Sequence, residues 1–196
     1  MKIGVFLSRM QPLHIGHLGI IELALKENDK VIILIGSKNK RGTIRNPLEV
    51  GIRRKILEDA LDEKFGQECK GKIIISELPD WSMETEVEAF LEWGRYLYYN
   101  IVSLAEQKDF SIYFSDEKEL IQSWFERELQ ERINFRLFER NSMFNGVSST
   151  KIRQAFLKGD KEYIEKSCPH AVMKHYDEIK QIIEEVNKNP IEDYTM

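Results

Sequence analysis

Short apolar segments alternate with segments of helical periodicity along most of the chain, and this alternation limits the possible folds more than any other feature. Residues 30–35, for example, form an aliphatic run without polar alternation, which is typical of a strand covered on both faces. Strands and helices in this order predict a parallel sheet with helices on both faces. The predicted strands are residues 2–7, 30–35, 72–76, 111–114 and 134–138, and the predicted helices between them are 16–26, 48–65, 84–105 and 117–129.

Beyond residue 148 the pattern is helical only, at residues 149–158, 160–166 and 171–186. Gly159 followed by Asp160 indicates the end of one helix and the N-cap of the next. Because no linker or repeat divides the chain, we predict one domain over 1–187, with 148–187 as its helical C-terminal part and 188–196 as a flexible tail. The predicted fold is α/β, a Rossmann-like doubly wound parallel sheet of about five strands.

Composition restricts the partners and the compartment. A net charge of −4 over 196 residues gives no sign of nucleic acid or an anionic membrane as a partner. The apolar runs are too short to span a bilayer, and the N-terminus lacks the pattern of a signal peptide. Cys69 and Cys168 form no disulfide framework. We therefore expect a cytoplasmic protein, for which a homo-oligomer is one compatible state.

The first candidate site follows the first predicted strand, where Arg9, His14, Gly16 and His17 lie at a turn into a helix. Such a turn directs free backbone N–H groups and the positive end of a helix dipole at one point, which favours phosphate. The histidines could instead bind a metal or simply pack, but no carboxylate or cysteine lies at a useful local spacing, so we predict no protein-bound metal. Gly16 would let a ligand approach the backbone closely.

The second candidate site is the basic loop of residues 36–47, which directly follows the second predicted strand. By itself this loop could be an ordinary solvated loop. Because parallel strands end at the same edge of a sheet, however, we expect it to share a pocket with the first loop. The helix after the loop places Arg53 toward phosphate and Arg54 toward solvent.

The third candidate site is residues 147–153. Its hydroxyls before a helical run predict an N-cap, which is a structural role. The same N-terminus also offers N–H groups, Lys151 and Arg153 to a polyphosphate, and a guanidinium can bind phosphate oxygens in a bidentate manner.

Residues 8–17 resemble the Gly-Arg-Phe-Gln-Pro-x-His-x-Gly-His motif of the nucleotidylyltransferase superfamily. Residues 36–53 are similar to the second signature of its nicotinamide-nucleotide adenylyltransferases, and 147–153 resemble the third, Ile-Ser-Ser-Thr-x-x-Arg. The three motifs occur in the family's order. The resemblance implies transfer of AMP from ATP to the phosphate of nicotinamide mononucleotide (NMN), giving NAD and pyrophosphate by direct in-line attack.

The resemblance also implies roles for individual residues. His14, His17 and Arg9 would be catalytic, and Mg²⁺ would accompany ATP. The residues that would bind ATP are Ser8, Met10, Gly16, Ser148, Ser149, Thr150 and Arg153. Those that would bind the acceptor are Gly36, Ser37, Asn46, Arg53, Asp80 and Trp93, although Trp93 could also simply pack in a helix stripe.

The chain departs from the family pattern at three positions. Ser8 replaces the usual Gly, Met10 replaces the usual Phe, and Asp116 lies where the family tends to have Asn. Related readings are therefore a pantetheine-phosphate adenylyltransferase, a cytidylyltransferase or a non-catalytic nucleotide sensor. A class I aminoacyl-tRNA synthetase shares the histidine motif, but it needs a lysine-rich signature and further domains.

Overall fold

The computed structural model describes residues 1–79, 87–115, 118–138 and 146–191. Within these ranges lie the strands β1 (Ile3–Ser8), β2 (Lys30–Ile35), β3 (Ile73–Glu77), β4 (Phe110–Phe114) and β5 (Ile133–Leu137). They form one sheet in the order β3-β2-β1-β4-β5, and each neighbouring pair is parallel. The predicted parallel sheet is confirmed.

Helices cover both faces of this sheet, as predicted. They are α1 (Ile15–Glu27), α2 (Val50–Phe65), α3 (Val87–Ala105), α4 (Lys118–Ser123), α5 (Arg127–Gln130), α6 (Ser149–Lys158), α7 (Lys161–Ser167), α8 (His170–Lys174) and α9 (Tyr176–Lys188), with a 3₁₀ helix at Gln67–Lys72. In the described part of the chain no helix has the length and apolar character needed to cross a membrane.

The side chains of β2 alternate between two hydrophobic clusters, which explains its unbroken apolar run. Val31, Ile33 and Ile35 belong to the cluster that contains α1, α2 and the C-terminal helices. Ile32 and Leu34 point to the opposite face, where α3 and α4 pack. All five side chains are completely buried. A strand buried on both faces has no polar alternation, and this is the pattern that the sequence shows.

The predicted helix 117–129 is two short helices, α4 and α5, with Glu117 outside the described residues. Between them the chain turns so that Phe125 enters the second hydrophobic cluster at 2% exposure. Burial of this aromatic side chain removes apolar surface from water and thereby stabilises the break between the two helices.

The predicted helix 171–186 is also divided, at His175. The break allows the two halves to contact different elements. At the N-terminus of α8, the Ala171 N–H donates to the Glu63 carboxylate of α2 at 3.1 Å. At the start of α9, the Tyr176 ring packs on Phe156 of α6, with 5.2 Å between the ring centroids.

The C-terminal segment after α9 contacts the loop that follows β2. The Ile191 N–H donates to the Gly42 carbonyl at 2.9 Å. A Cβ atom at Gly42 would lie 2.6 Å from Ile191 Cδ1, so the two residues are tightly packed. The first residues of the predicted tail are therefore attached to the basic loop, and 192–196 lie outside the described residues.

The strand order reverses at β1, since β2 and β4 lie on its opposite sides. In open α/β sheets, ligands bind beyond the carboxyl ends of the strands at such a reversal. Ser8 pairs in register with Ile35, and the Gly36 N–H donates to the Ser8 carbonyl at 3.0 Å. The first and second candidate loops thus begin side by side at this edge.

Candidate active site

Gln11 joins the first loop to the second. Its buried side chain donates from Nε2 to the Leu48 carbonyl and accepts the Leu48 N–H at Oε1, each at 2.9 Å. Because both backbone groups of Leu48 are used in this way, α2 begins at Val50 rather than at the predicted residue 48. Sequence reasoning gave Gln11 no separate role, although it belongs to the first motif.

Arg53 is 1% exposed, and its guanidinium forms hydrogen bonds with the backbone of both loops. Its Nη1 donates to the carbonyls of Arg9 at 2.7 Å and Gly36 at 2.8 Å, and its Nη2 donates to the Ser37 carbonyl at 3.0 Å. A fourth, longer bond runs from Nε to the Glu49 carbonyl. The guanidinium that was predicted to face phosphate therefore holds the backbone of the predicted acceptor loop.

The first turn of α6 is capped as predicted. The Ser148 side chain accepts the Lys151 N–H at 3.3 Å, and Ser148 has extended backbone angles. Lys151 Nζ donates to the Gly146 carbonyl at 2.9 Å, which fixes the chain just before the helix. The N-cap role of Ser148 and the direction of the helix N-terminus are consequences of the same local sequence.

The third motif packs directly on the first loop. Ser149 Oγ donates to the Pro12 carbonyl at 3.1 Å, and Arg153 Nη1 donates to the Gln11 carbonyl at 2.8 Å. Arg153 Nη2 also reaches Thr150 Oγ1 at 3.3 Å. These bonds span more than 130 positions of sequence. The structure thus brings together the three motifs that the sequence predicts to form one site.

His14 and His17 lie at the N-terminus of α1 with their rings stacked at 3.6 Å between centroids and 18° between planes. Both are buried, at 7% and 9% exposure. The His14 N–H donates to His17 Nδ1 at 3.2 Å, and His17 Nε2 lies 3.0 Å from Ser8 Oγ. Ser8, predicted to bind ATP, thus contacts one of the predicted catalytic histidines.

Gly16 lies in a tightly packed position. A Cβ atom there would lie 3.1 Å from ring atoms of His14 and 3.2 Å from Cγ1 of Val147. The space that we assigned to an approaching ligand is thus lined by His14 and by the segment that leads into α6. Met10, also predicted to bind ATP, is 1% exposed and packs in the first hydrophobic cluster.

Positive charge accumulates where the loops meet. Burial lowers the pKa of Arg53 to about 10, and the charge of Arg9 adds to this shift while Glu77 opposes it. Burial, and then the charges of Arg9 and Arg45, lower the pKa of Arg153. Sequence reasoning did not single out Arg45, although it lies in the basic loop.

Across the described ranges, none of Arg9, Arg45, Arg53 and Arg153 forms an ion pair with a carboxylate. A group of like charges at one edge of the sheet attracts anions. Nor do the described residues include a group of three or more His, Cys, Asp or Glu suited to a metal ion. The positive charge at this edge of the sheet favours an anion with several charged oxygens.

On the predicted acceptor side, Gly36 and Ser37 are held through their carbonyls, as described above. Asn46 is 1% exposed, its N–H donates to Thr43 Oγ1 at 3.0 Å, and its Oδ1 has no hydrogen-bond partner among the described residues. Trp93 is 5% exposed on α3, with its ring 5.7 Å from that of Tyr96. The predicted residue Asp80, like Asp116, lies outside the described residues.

The cytidylyltransferase-like family matches residues 5–155, which include most of the sheet and all three motifs. The nicotinamide-nucleotide adenylyltransferase of Pyrobaculum aerophilum is 32% identical over 166 residues, or 84% of this chain and 82% of that protein. The enzyme of the same name from Thermococcus sibiricus is 29% identical over 91% of this chain and 85% of its own length. A match to the Pyrococcus furiosus protein of that name, at 41% identity, spans only 42% of the relative.

Solved structures agree on the fold. A bifunctional NMN adenylyltransferase/ADP ribose pyrophosphatase from Francisella tularensis, complexed with AMP and a manganese ion, superposes with a TM-score of 0.63 at 27% identity. The match covers 81% of this chain and 42% of that chain, so this chain spans less than half of the bifunctional protein. The NadR protein in complex with NAD and AMP-PNP has the same TM-score at 18% identity over 89% of this chain, which shows the shared fold. The chain belongs to the cytidylyltransferase-like family and, within it, to the nicotinamide-nucleotide adenylyltransferases.

Proposed function

We propose that this protein transfers the AMP moiety of ATP to the phosphate of NMN and thereby forms NAD and pyrophosphate. The observation that carries the proposal is the meeting of three loops at the carboxyl edge of the sheet, around arginines that have no carboxylate partner among the described residues. A triphosphate would supply the missing negative charge. The names of the relatives support NMN as the acceptor.

An oxygen of the acceptor phosphate attacks the α-phosphorus of ATP, and the bond from that phosphorus to the β-phosphate oxygen breaks. No covalent enzyme intermediate is needed, so the protein acts by positioning and by stabilising developing charge. The N-terminus of α1 and the imidazoles of His14 and His17 are the groups that face this step. Arg9, which is exposed at the end of β1, supports the same charge.

The β- and γ-phosphates belong at the N-terminus of α6. There Thr150 and Arg153 are already held in place by hydrogen bonds, so little side-chain freedom is lost on binding. Ser148 and Ser149 set the direction of this helix end through the cap and the bond to Pro12. The charge of Arg45 helps to lower the pKa of Arg153, which supports placing Arg45 beside the same anion.

We propose Mg²⁺ as the accompanying ion. Since the described residues form no cluster of metal ligands, the ion would be held by phosphate oxygens and water, as is usual for Mg²⁺ with nucleotides. When bound, it neutralises the leaving pyrophosphate. Arg153 and Arg45 then share the remaining charge.

The acceptor belongs against Gly36, Ser37, Asn46 and Trp93, as the family resemblance implies. The buried Asn46 Oδ1 supports this placement, because an acceptor that no described residue pairs with favours a ligand that supplies a donor. Arg53 shapes this pocket through the loop carbonyls that it holds. The Trp93 ring can add stacking energy of about 1 kcal/mol.

A panel of phosphorylated acceptors tests the proposal. Purified protein with ATP and Mg²⁺ is given NMN, nicotinate mononucleotide or 4′-phosphopantetheine, and CTP replaces ATP in a parallel series, with pyrophosphate release as the signal. We expect the highest rate with ATP and NMN, with NAD as the product. His17→Ala, the control for catalysis at this site, should lower kcat by about 10²- to 10⁴-fold.

Other outcomes of the panel would contradict the proposal. Turnover of 4′-phosphopantetheine or use of CTP in preference to ATP would assign the chain to a sister activity. ATP binding without release of pyrophosphate from any acceptor would indicate a nucleotide sensor.

A further inference from the structure

Ser8 supplies a hydrogen bond that the usual residue of the family motif cannot. The motif has Gly where this chain has Ser8, which is the last residue of β1. Ser8 Oγ lies 3.0 Å from His17 Nε2. A glycine at this position would leave Nε2 without that oxygen.

The hydrogen bond at Nδ1 of His17 determines which ring nitrogen carries the proton. The His14 backbone N–H donates to His17 Nδ1 at 3.2 Å, so Nδ1 must present a lone pair. A neutral imidazole then carries its proton on Nε2. The Nε2–H is therefore the donor in the bond with Ser8, and Ser8 Oγ is the acceptor. Since the other donor is a backbone group, this assignment depends on the fold of the turn into α1.

The surroundings of His17 keep the ring in this orientation. It is stacked on His14 at 3.6 Å and lies 6.0 Å from the ring of Phe6. A flip of the ring would move Nδ1 away from the His14 N–H and Nε2 away from Ser8. The ring is thus held by a main-chain donor on one side and a hydroxyl on the other.

We propose that Ser8 is a positioning residue that holds His17 in the neutral Nε2–H form at the edge of the phosphate site. When a phosphoryl oxygen binds, it shares this N–H with Ser8 Oγ, so His17 acts as a hydrogen-bond donor to the phosphoryl group and not as a proton-transferring acid. Ser8 accepts the N–H in the empty site and keeps its own hydroxyl proton for a phosphate oxygen. This inference rests on the proposed function for its catalytic part, whereas its statement about His17 concerns the free protein.

The test compares Ser8→Ala, Ser8→Gly and Ser8→Thr with the wild type. In protein labelled with ¹⁵N-histidine, the side-chain signals of His17 are assigned by their loss in His17→Gln. We expect the wild type and Ser8→Thr to show a protected Nε2–H proton and an unprotonated Nδ1. In Ser8→Ala and Ser8→Gly that proton should exchange with water and its signal should be lost.

Kinetics supply the second readout. With ATP and NMN we expect Ser8→Ala and Ser8→Gly to lower kcat by about 3- to 10-fold, the effect of one neutral hydrogen bond, with rescue in Ser8→Thr. Ser111→Ala is the matched control, because its hydroxyl bonds Asn134 at 3.2 Å near the opposite end of the sheet. It should change neither the His17 signals nor kcat, and thermal unfolding checks that each variant is folded.

Two results would overturn the proposal. One is a wild-type His17 protonated at Nδ1 at neutral pH, and the other is a Ser8→Ala variant with unchanged Nε2–H protection and unchanged kcat. A protein with the expected His17 signals but no transfer to NMN would refute the proposed function alone. Transfer to NMN with His17 protonated at Nδ1 would refute only the role of Ser8.

Discussion

Replacing Arg53 with Met should destabilise the protein far more than the same change at its neighbour Arg54. Met keeps a long apolar chain in place but removes every donor. The carbonyls of Gly36 and Ser37, which lie in a buried segment, would lose the Arg53 bonds of 2.8 and 3.0 Å. The carbonyls of Arg9 and Glu49 belong to exposed residues and can bind water instead.

The expected magnitude follows from these two buried carbonyls. The Gly36 carbonyl is left unsatisfied, which costs roughly 1–3 kcal/mol. The Ser37 carbonyl keeps the Lys40 N–H at 3.2 Å and loses only its bond to the charged guanidinium, which is worth about 1.5–3 kcal/mol. Removing a buried cation returns part of this, since burial has already lowered the pKa of Arg53 to about 10. We therefore expect the free energy of unfolding to fall by about 2–4 kcal/mol.

Urea unfolding followed by circular dichroism measures this difference. Arg54→Met is the control, because Arg54 is partly exposed and its bonds go to the carboxylates of Glu58 and Glu77. Surface pairs of that kind contribute about 0–1 kcal/mol. Equal losses in the two variants would refute the conclusion that Arg53 holds the loops through buried carbonyls.

Two further predictions concern a close helix contact and the triphosphate. Gly94→Ala should destabilise the fold by several kcal/mol or prevent folding, because its Cβ would lie 1.6 Å from the Trp124 carbonyl oxygen. Gly51→Ala should stabilise α2 by about 0.5–1 kcal/mol in the same urea assay, because outside its own helix a Cβ there would meet no described atom within 4 Å. A tolerated Gly94→Ala would show that the contact is not tight. Arg153→Ala should weaken ATP binding by about 10- to 100-fold in calorimetry, while Lys158→Ala at the far end of the same helix should not. Unchanged ATP affinity in Arg153→Ala would remove this arginine from the phosphate site.

Much of the fold could be predicted from the sequence because the deciding interactions are local or periodic. An apolar run such as that of β2 requires a strand whose two faces are both buried. Gly159 followed by Asp160 ends one helix and begins the next. The breaks at Phe125 and His175 could not be predicted in this way. Helical periodicity continues through both positions, and only packing against distant elements stabilises the breaks.

In the candidate site, too, local sequence determined some features and contacts between distant residues determined others. Residue type and order within each motif were enough to predict that the loops of His14, His17 and Arg153 meet at one edge of the sheet, and this meeting is confirmed. The roles of Arg53, Gly16 and Ser8 were decided by tertiary structure, since each depends on which group the folded chain places against it: loop carbonyls, Val147 or the Nε2 of His17. A local pattern specifies what a side chain can bind, but the choice among possible partners is made by atoms that are distant in sequence and become neighbours only in the folded protein.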